Sequence, residues 1–185
     1  IVNGQQMAVE YFTVLMGKSN NEKYTSKYET LLKAVKIFTG SQAEVERAYR
    51  YIVFNCLIGN GDAHLKNFSI MYDIDRENIV MTPPYDITHT LIYPTIDNKL
   101  ALKMDDSKAF PDYKTLRKFG ESFGIKKCSE IIEKTSASIS DYINNSAEIS
   151  IMEGLKESIE RSLAQAKTGT FSRTGYRHDK HRKFE

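Results

Sequence analysis

The residues best suited to chemistry lie in one polar segment, Gly61-Asp62-Ala63-His64-Leu65-Lys66-Asn67, and in a second acid, Asp86, nineteen positions after Asn67. The carboxylate of Asp62 is suited to accept a proton from an attacking hydroxyl. The side-chain oxygens of Asn67 and Asp86 are of the kind that binds Mg²⁺. Together these groups indicate transfer of a phosphoryl group from a nucleotide to a hydroxyl.

The elements around these residues predict how they are brought together. An apolar helical stripe ends at Gly59-Asn60-Gly61, and the runs 68–72 and 79–81 read as two strands of a hairpin. Paired strands of similar length return the chain to its start, so Asn67 and Asp86 should lie close together. The spacing Asp-x-x-x-x-Asn followed by a metal-binding Asp is that of the protein-kinase catalytic loop.

Two further residues of the segment are candidates for phosphate contacts. His64 is predicted to hydrogen-bond a phosphate oxygen or to orient Asp62, and Lys66 to contact a phosphate. The alternatives are a loop histidine whose hydrogen bonds are satisfied within the protein, and a solvated lysine. A different interpretation groups Asp62, His64, Asp86 and His89 as ligands of a transition-metal hydrolase, which leaves Asn67 without a role.

The rest of the chain predicts a mainly α fold with a small β-hairpin, an α+β class. A short buried helix is predicted within residues 1–17, ending near Gly17, and a second helix ends at Gly40. Ser41 is the expected N-cap of the next helix, with Glu44 at the capping-box position. Residues 87–111 are predicted to be irregular, and helical periodicity runs from Asp112 to near Lys167.

Composition is that of one soluble globular domain: 185 residues, 41% hydrophobic and 27% charged. We expect a domain over residues 1–170 and a basic tail over 171–185. The tail carries five basic residues and two acidic ones, suited to nucleic acid or an acidic partner, or simply solvated. Cys56 and Cys128 form no disulfide or zinc pattern, and neither a membrane span nor a signal peptide is visible, so a cytoplasmic location is expected.

The run from Leu57 to Ser69, followed by Thr82-Pro83-Pro84-Tyr85-Asp86, resembles the HipA family of serine/threonine kinase toxins from bacterial toxin–antitoxin modules. The resemblance covers the C-terminal lobe of that family's kinase-like fold. It implies that Asp62 is the catalytic base, that Asn67 and Asp86 bind the metal, and that ATP and Mg²⁺ are used. It also implies a small DNA-binding antitoxin as partner, contact with DNA only through that partner, and an aminoacyl-tRNA synthetase or another translation factor as substrate.

One departure from the family pattern bears on activity. No Gly-x-Gly-x-x-Gly loop and no Val-Ala-x-Lys strand is present, and the family carries its nucleotide lysine upstream of the matched region. The chain begins at Ile1, so we expect that a piece is missing upstream, that the N-lobe is a separate polypeptide, or that the chain is a degenerate relative. A lobe without catalysis that binds an antitoxin therefore stays an alternative.

A lipid kinase also stays open, because the form Gly-Asp-x-His-x-x-Asn resembles the catalytic loop of phosphatidylinositol kinases. Residues 87–111 balance three lysines against three aspartates (Lys99, Lys103, Lys108, Asp97, Asp105 and Asp106). A basic, membrane-facing segment is thus missing, which argues mildly against a lipid acceptor.

Overall fold

A computed structural model describes residues 6–73, 75–93, 95 and 97–169 of the chain. Its strands are β1 (Ala8–Tyr11), β2 (Ser69–Tyr72) and β3 (Val80–Met81). Its α-helices are α1 (Phe12–Leu15), α2 (Tyr28–Thr39), α3 (Gln42–Leu57), α4 (Tyr113–Ser122), α5 (Cys128–Asn145) and α6 (Leu155–Thr168). Short 3₁₀ turns lie at Asn20–Glu22, Leu65–Asn67, Thr90–Ile92 and Ala147–Ile151. The predicted mainly α fold with a small β element is confirmed.

The helices form the core that positions the site. The apolar stripes of α2 and α3 bury Leu31, Leu32, Val45, Ile52 and Val53, none more than 2% exposed. α3 also packs against α5, and α5 against α4 and α6. Each stripe recurs every three to four residues, which is why these helices were predictable from the sequence. The predicted stop at Gly40 is confirmed as well, because Gly40 ends α2 with a left-handed backbone.

Two predictions about the N-terminal region are wrong. Residues 8–11 form a strand rather than part of a helix, and α1 after them is a single turn. The sheet therefore has three antiparallel strands in the order β1-β2-β3, not the predicted two. Ala8 pairs with Tyr72 and Tyr11 pairs with Ser69. The conformation of this segment is determined by pairing with β2, which is distant in the sequence. The pairing provides hydrogen-bond partners for the edge of β2 that would be unpaired in an isolated hairpin.

The capping box predicted for α3 is half formed. Ser41 Oγ accepts a hydrogen bond of 3.3 Å from the Glu44 backbone N–H, as expected. The Glu44 carboxylate turns instead to β3, where it accepts the Met81 backbone N–H at 2.7 Å. This carboxylate holds β3, the strand that leads to Asp86, against α3. The described residues between 87 and 111 are irregular as predicted, apart from the 3₁₀ turn Thr90–Ile92. The predicted tail of residues 171–185 lies outside the described residues.

Candidate active site

Asn67 and Asp86 meet where the hairpin begins and ends. β2 and β3 pair Ile70 with Met81, and the pairing continues when the Thr82 N–H donates to the Ser69 carbonyl at 3.0 Å. Tyr85 donates its hydroxyl to the Lys66 carbonyl at 2.6 Å. As a result Asn67 Nδ2 lies 2.5 Å from Asp86 Oδ2, so the predicted convergence of these two residues is confirmed.

Asp62 is joined to Asn67 through the backbone between them. The His64 N–H donates both to the Asp62 carbonyl at 2.8 Å and to Asn67 Oδ1 at 2.9 Å. The Asp62 side chain itself is exposed, and Oδ1 accepts a hydrogen bond of 2.8 Å from the Tyr24 hydroxyl. An exposed carboxylate held at one oxygen keeps its other oxygen open to an approaching hydroxyl.

His64 is a buried residue under Tyr24. His64 is only 5% exposed. Its imidazole ring meets the Tyr24 ring edge to face, with the ring centroids 5.0 Å apart. Burial lowers the pKa of His64, and the nearby Lys23 charge lowers it further, so the imidazole is neutral near pH 7. Nδ1 has no hydrogen-bond partner within the described parts of the chain. The predicted phosphate contact of His64 stays a prediction.

Lys66 enters the site by its main chain, through the hydrogen bond from Tyr85. The side chain is partly exposed. Its predicted contact with a phosphate therefore also stays a prediction.

Four polar residues that the sequence did not single out hold the turn before Asp62. Asn60 is 1% exposed. Its Oδ1 accepts hydrogen bonds from the Asp62 N–H at 3.0 Å and from Thr88 Oγ1 at 3.2 Å. Its Nδ2 donates to Asn55 Oδ1 at 2.7 Å. Thr90 Oγ1 accepts the Gly61 N–H at 2.8 Å. Only the position of Asn60 between two glycines marked it as a turn residue. Nothing in the sequence linked Thr88 and Thr90 to this turn.

Gly61 fits this turn because it has no side chain. A Cβ there would lie 2.6 Å from the Lys99 carbonyl oxygen, which is a backbone atom that cannot move aside easily. The glycine before Asp62 is therefore required by close approach of residues 90 and 99.

The transition-metal interpretation is wrong. His89 Nε2 lies 2.7 Å from Ser158 Oγ, and its Nδ1 is bound to the Ile58 carbonyl, so both ring nitrogens are already used. No group of three His, Cys, Asp or Glu side chains within the described residues is placed to hold a metal ion. The site instead places the Asn67 amide against the Asp86 carboxylate, with Nδ2 of the amide facing Asp86. Carboxylate and amide oxygens are ligand types that a hard cation takes together with water.

Two solved structures illustrate the fold that this chain shares. HipA of Shewanella oneidensis MR-1, solved with HipB and operator DNA of its toxin–antitoxin system, matches with a TM-score of 0.61 and 19% identity over 90% of this chain and 44% of that chain. The Helicobacter pylori proinflammatory kinase CtkA matches with a TM-score of 0.55 and 16% identity, over 90% of this chain and 69% of that one. The fold is therefore that of a kinase-like lobe.

Sequence comparison defines the family more narrowly. Residues 3–143 match the family of HipA-like C-terminal domains, and the chain belongs to that family. Sinorhizobium fredii Y4dM, named as a candidate kinase, is 34% identical over 100 residues, which are 54% of this chain and 24% of Y4dM. A Haemophilus influenzae protein with a similar name is 33% identical over 87 residues, 46% of this chain and 25% of that protein. The matched part thus spans about a quarter of these relatives.

None of the helices described by the structure, including α5 with its 18 residues, is long and apolar enough to cross a membrane.

Proposed function

We propose that this chain is the C-terminal lobe of a protein kinase that uses ATP and Mg²⁺ to phosphorylate a serine or threonine hydroxyl. The observation that carries the proposal is the contact of Asn67 with Asp86 at the end of the hairpin, joined through the His64 N–H to the loop that exposes Asp62. Family membership and the kinase-like neighbours support the same reaction class.

The residues present fit a magnesium site. Asp86 and Asn67 supply one carboxylate and one amide oxygen at a partly exposed position, and Mg²⁺ is commonly held by one or two such side chains together with water and substrate phosphates. When bound, the ion would neutralise charge on the phosphate oxygens. In this structure Asn67 Oδ1 accepts the His64 N–H and Nδ2 donates to Asp86 Oδ2, so an ion held by both side chains would replace the Nδ2–Oδ2 hydrogen bond.

The protein groups would act mainly by position. Asp62 accepts the proton of the acceptor hydroxyl, and Tyr24 holds its carboxylate at Oδ1. Asn60 and Thr90 hold the turn that presents Asp62. Such positioning supplies much of the rate in phosphoryl transfer, which needs little covalent chemistry from the protein.

The biological setting follows the family. We propose a toxin of a toxin–antitoxin module, with a small DNA-binding antitoxin as partner and an aminoacyl-tRNA synthetase or another translation factor as substrate. Support comes from the Shewanella oneidensis HipA structure, which contains HipB and operator DNA.

The test is transfer of labelled γ-phosphate from ATP to a protein acceptor, measured with this chain alone and with an N-terminal kinase lobe supplied. Asp62→Asn should lower the rate about a hundredfold or more. Asp141→Asn, an exposed aspartate on α5, is the matched control and should transfer at the wild-type rate. Equal rates for Asp62→Asn and wild type would contradict the role of Asp62. No transfer and no Mg²⁺-dependent nucleotide binding in either form would indicate a lobe without catalysis.

A further inference from the structure

A large apolar groove opens beside Asp62. It has a volume of about 990 Å³ and lies between the loop after Asp86, the C-terminal half of α5 and the start of α6. Its floor is formed by buried side chains such as Ile58, Ile139, Ile143 and Ile159. Gly61 and Asp62 form part of its wall. Such a volume is at the upper end of what protein pockets for small ligands offer.

The rim of the groove is unusually apolar for a surface. Four of its lining residues are large hydrophobic side chains that remain substantially exposed: Ile87 at 39%, Tyr93 at 47%, Tyr142 at 52% and Met152 at 39%. Contiguous exposed apolar surface of this kind marks binding sites in soluble proteins.

The chemistry of the lining limits what can bind. Among the described residues that form the groove, Asp62 is the only Asp, Glu, Lys or Arg, and the others are apolar or neutral polar groups. His89 is neutral near pH 7, because burial lowers its pKa. A triphosphate would have no cation to bind here, and an acidic peptide would lose hydration without gaining a partner. Asp62 is the single charge of this lining with which a basic peptide could pair.

The position of the groove separates it from the metal side of the site. Its lining includes Asp62 but neither Asn67 nor Asp86. A ligand in the groove would therefore lie beside Asp62 without contacting the Asn67–Asp86 pair. A polypeptide with a hydroxyl near apolar side chains would bury those side chains in the groove while its hydroxyl reaches Asp62.

We propose that this groove, formed by Ile87, Tyr93, Tyr142, Ile143, Met152 and Leu155 beside Asp62, binds the acceptor polypeptide and selects serine or threonine residues flanked by apolar side chains. The inference rests on the proposed function, since it assigns the acceptor side of the same site. The step it serves forms a bond between the acceptor oxygen and the γ-phosphorus of ATP, releases ADP, and passes the hydroxyl proton to Asp62.

Direct binding tests the groove without relying on catalysis. The probe is a fluorescent synthetic peptide with one serine between leucines, and the matched peptide has lysines in place of the leucines. The 185-residue chain should bind the leucine peptide at least about tenfold more tightly in fluorescence anisotropy. Equal affinity for the two peptides would overturn the proposal.

Two rim variants and one control locate the binding. Tyr142→Glu and Met152→Glu should each weaken the leucine peptide about tenfold or more, because each places a charge on the apolar rim. Ile37→Glu changes a side chain that is 76% exposed on α2, outside the groove, and should bind as wild type does. All three side chains are exposed, and Tyr142 additionally donates its hydroxyl to Glu148 Oε2. Circular dichroism of each variant measures whether the fold is kept. Unchanged affinity in both rim variants would refute the assignment.

Failure of this inference differs from failure of the proposed function. If the leucine peptide binds in the groove but no phosphate transfer occurs with an N-terminal lobe present, the groove stands and the kinase proposal falls. If transfer occurs and Tyr142→Glu leaves the KM for the leucine peptide unchanged, the kinase proposal stands and the groove assignment falls. Dimerisation of the chain that Tyr142→Glu abolishes would show a second copy as the occupant, which also contradicts the proposal.

Discussion

Thr90 shows how a residue outside the polar segment of residues 61–67 holds that segment in place. Its Oγ1 accepts the Gly61 N–H at 2.8 Å and donates to the Gly59 carbonyl at 3.1 Å, and its own N–H donates to the same carbonyl. The residue is only 7% exposed, so water cannot easily replace these bonds. The turn that presents Asp62 therefore depends on a hydroxyl 28 positions later in the chain.

We predict that Thr90→Val lowers the free energy of unfolding by about 1–3 kcal/mol, because valine keeps the shape but leaves the Gly61 N–H without its acceptor. Urea denaturation measures the change. Thr30→Val, on the exposed face of α2, should stay within about 0.5 kcal/mol of wild type. Equal stability of the Thr90 and Thr30 variants would show that the hydrogen bond at Gly61 contributes nothing.

The sequence was sufficient to select the candidate site residues, but not the residues that hold them in position. Asp62, Asn67 and Asp86 could be selected because their chemistry and spacing match a known requirement of phosphoryl transfer. Tyr24 and Thr90 could not, since each contacts the loop through a fold that brings distant parts of the chain together. A tyrosine in a polar loop carries no signal that its hydroxyl will reach Asp62.

Among the elements, β3 is short and depends on a helix for its place. It has two residues, and the Met81 N–H donates to a carboxylate oxygen of Glu44 on α3 at 2.7 Å. The same oxygen lies 3.3 Å from a guanidinium nitrogen of Arg47. Glu44 is 7% exposed, so this pair of contacts stabilises a buried charge that would otherwise be costly.

We predict that Glu44→Leu destabilises the fold by about 2–3 kcal/mol, because the buried Met81 N–H loses its acceptor. Glu44→Gln keeps an amide oxygen at the same distance from the backbone and should cost less. Thermal and urea unfolding of the two variants measure the order. The control is Glu46→Gln, whose residue forms an exposed pair with Arg50 and should change stability by less than about 1 kcal/mol. A Glu44→Leu variant as stable as Glu44→Gln would contradict the role of this contact.

The helices could be predicted because their buried residues recur with helical spacing. The first strand, β1, could not be predicted in this way. The stripes of α2, α3, α5 and α6 each bury one face, so hydrophobic spacing alone indicates them. In β1, Val9 and Tyr11 remain 52% and 45% exposed. The apolar residues of this segment are therefore not the buried face of a helix, as their spacing had suggested. Hydrogen bonding to β2 determines the extended conformation of this segment. The local sequence alone does not indicate which distant strand it pairs with.

For the molecule as a whole, His89 ties the loop after Asp86 to the body of the domain. One ring nitrogen is bound to the Ile58 carbonyl at the end of α3, and the other lies 2.7 Å from Ser158 Oγ in α6. Burial lowers the pKa of His89 below its ordinary 6.5, with a further decrease from the Arg161 charge. The neutral imidazole is thus part of the folded state.

This pKa makes stability depend on pH in a defined direction. In the unfolded chain His89 takes up a proton near pH 6.5, whereas in the folded chain its pKa is lower. The contribution of the neutral imidazole to stability is therefore present above pH 6.5 and is lost as the pH falls through the lower pKa of the folded state. We predict that the free energy of unfolding decreases between about pH 7.5 and pH 5, and that the decrease is smaller in His89→Gln. Urea unfolding at both values measures it. An equal decrease in the two proteins would exclude a contribution from His89.

Asp86 has a left-handed backbone, with φ of 55°. Aspartate and asparagine adopt this conformation more readily than other residues with a side chain, for which it costs roughly 1–2 kcal/mol. An alanine introduced here would remove the carboxylate and also penalise the backbone, so any loss of activity would have two explanations. Asparagine removes the charge while tolerating the left-handed backbone, which makes Asp86→Asn the cleaner variant with which to test the proposed role of this carboxylate.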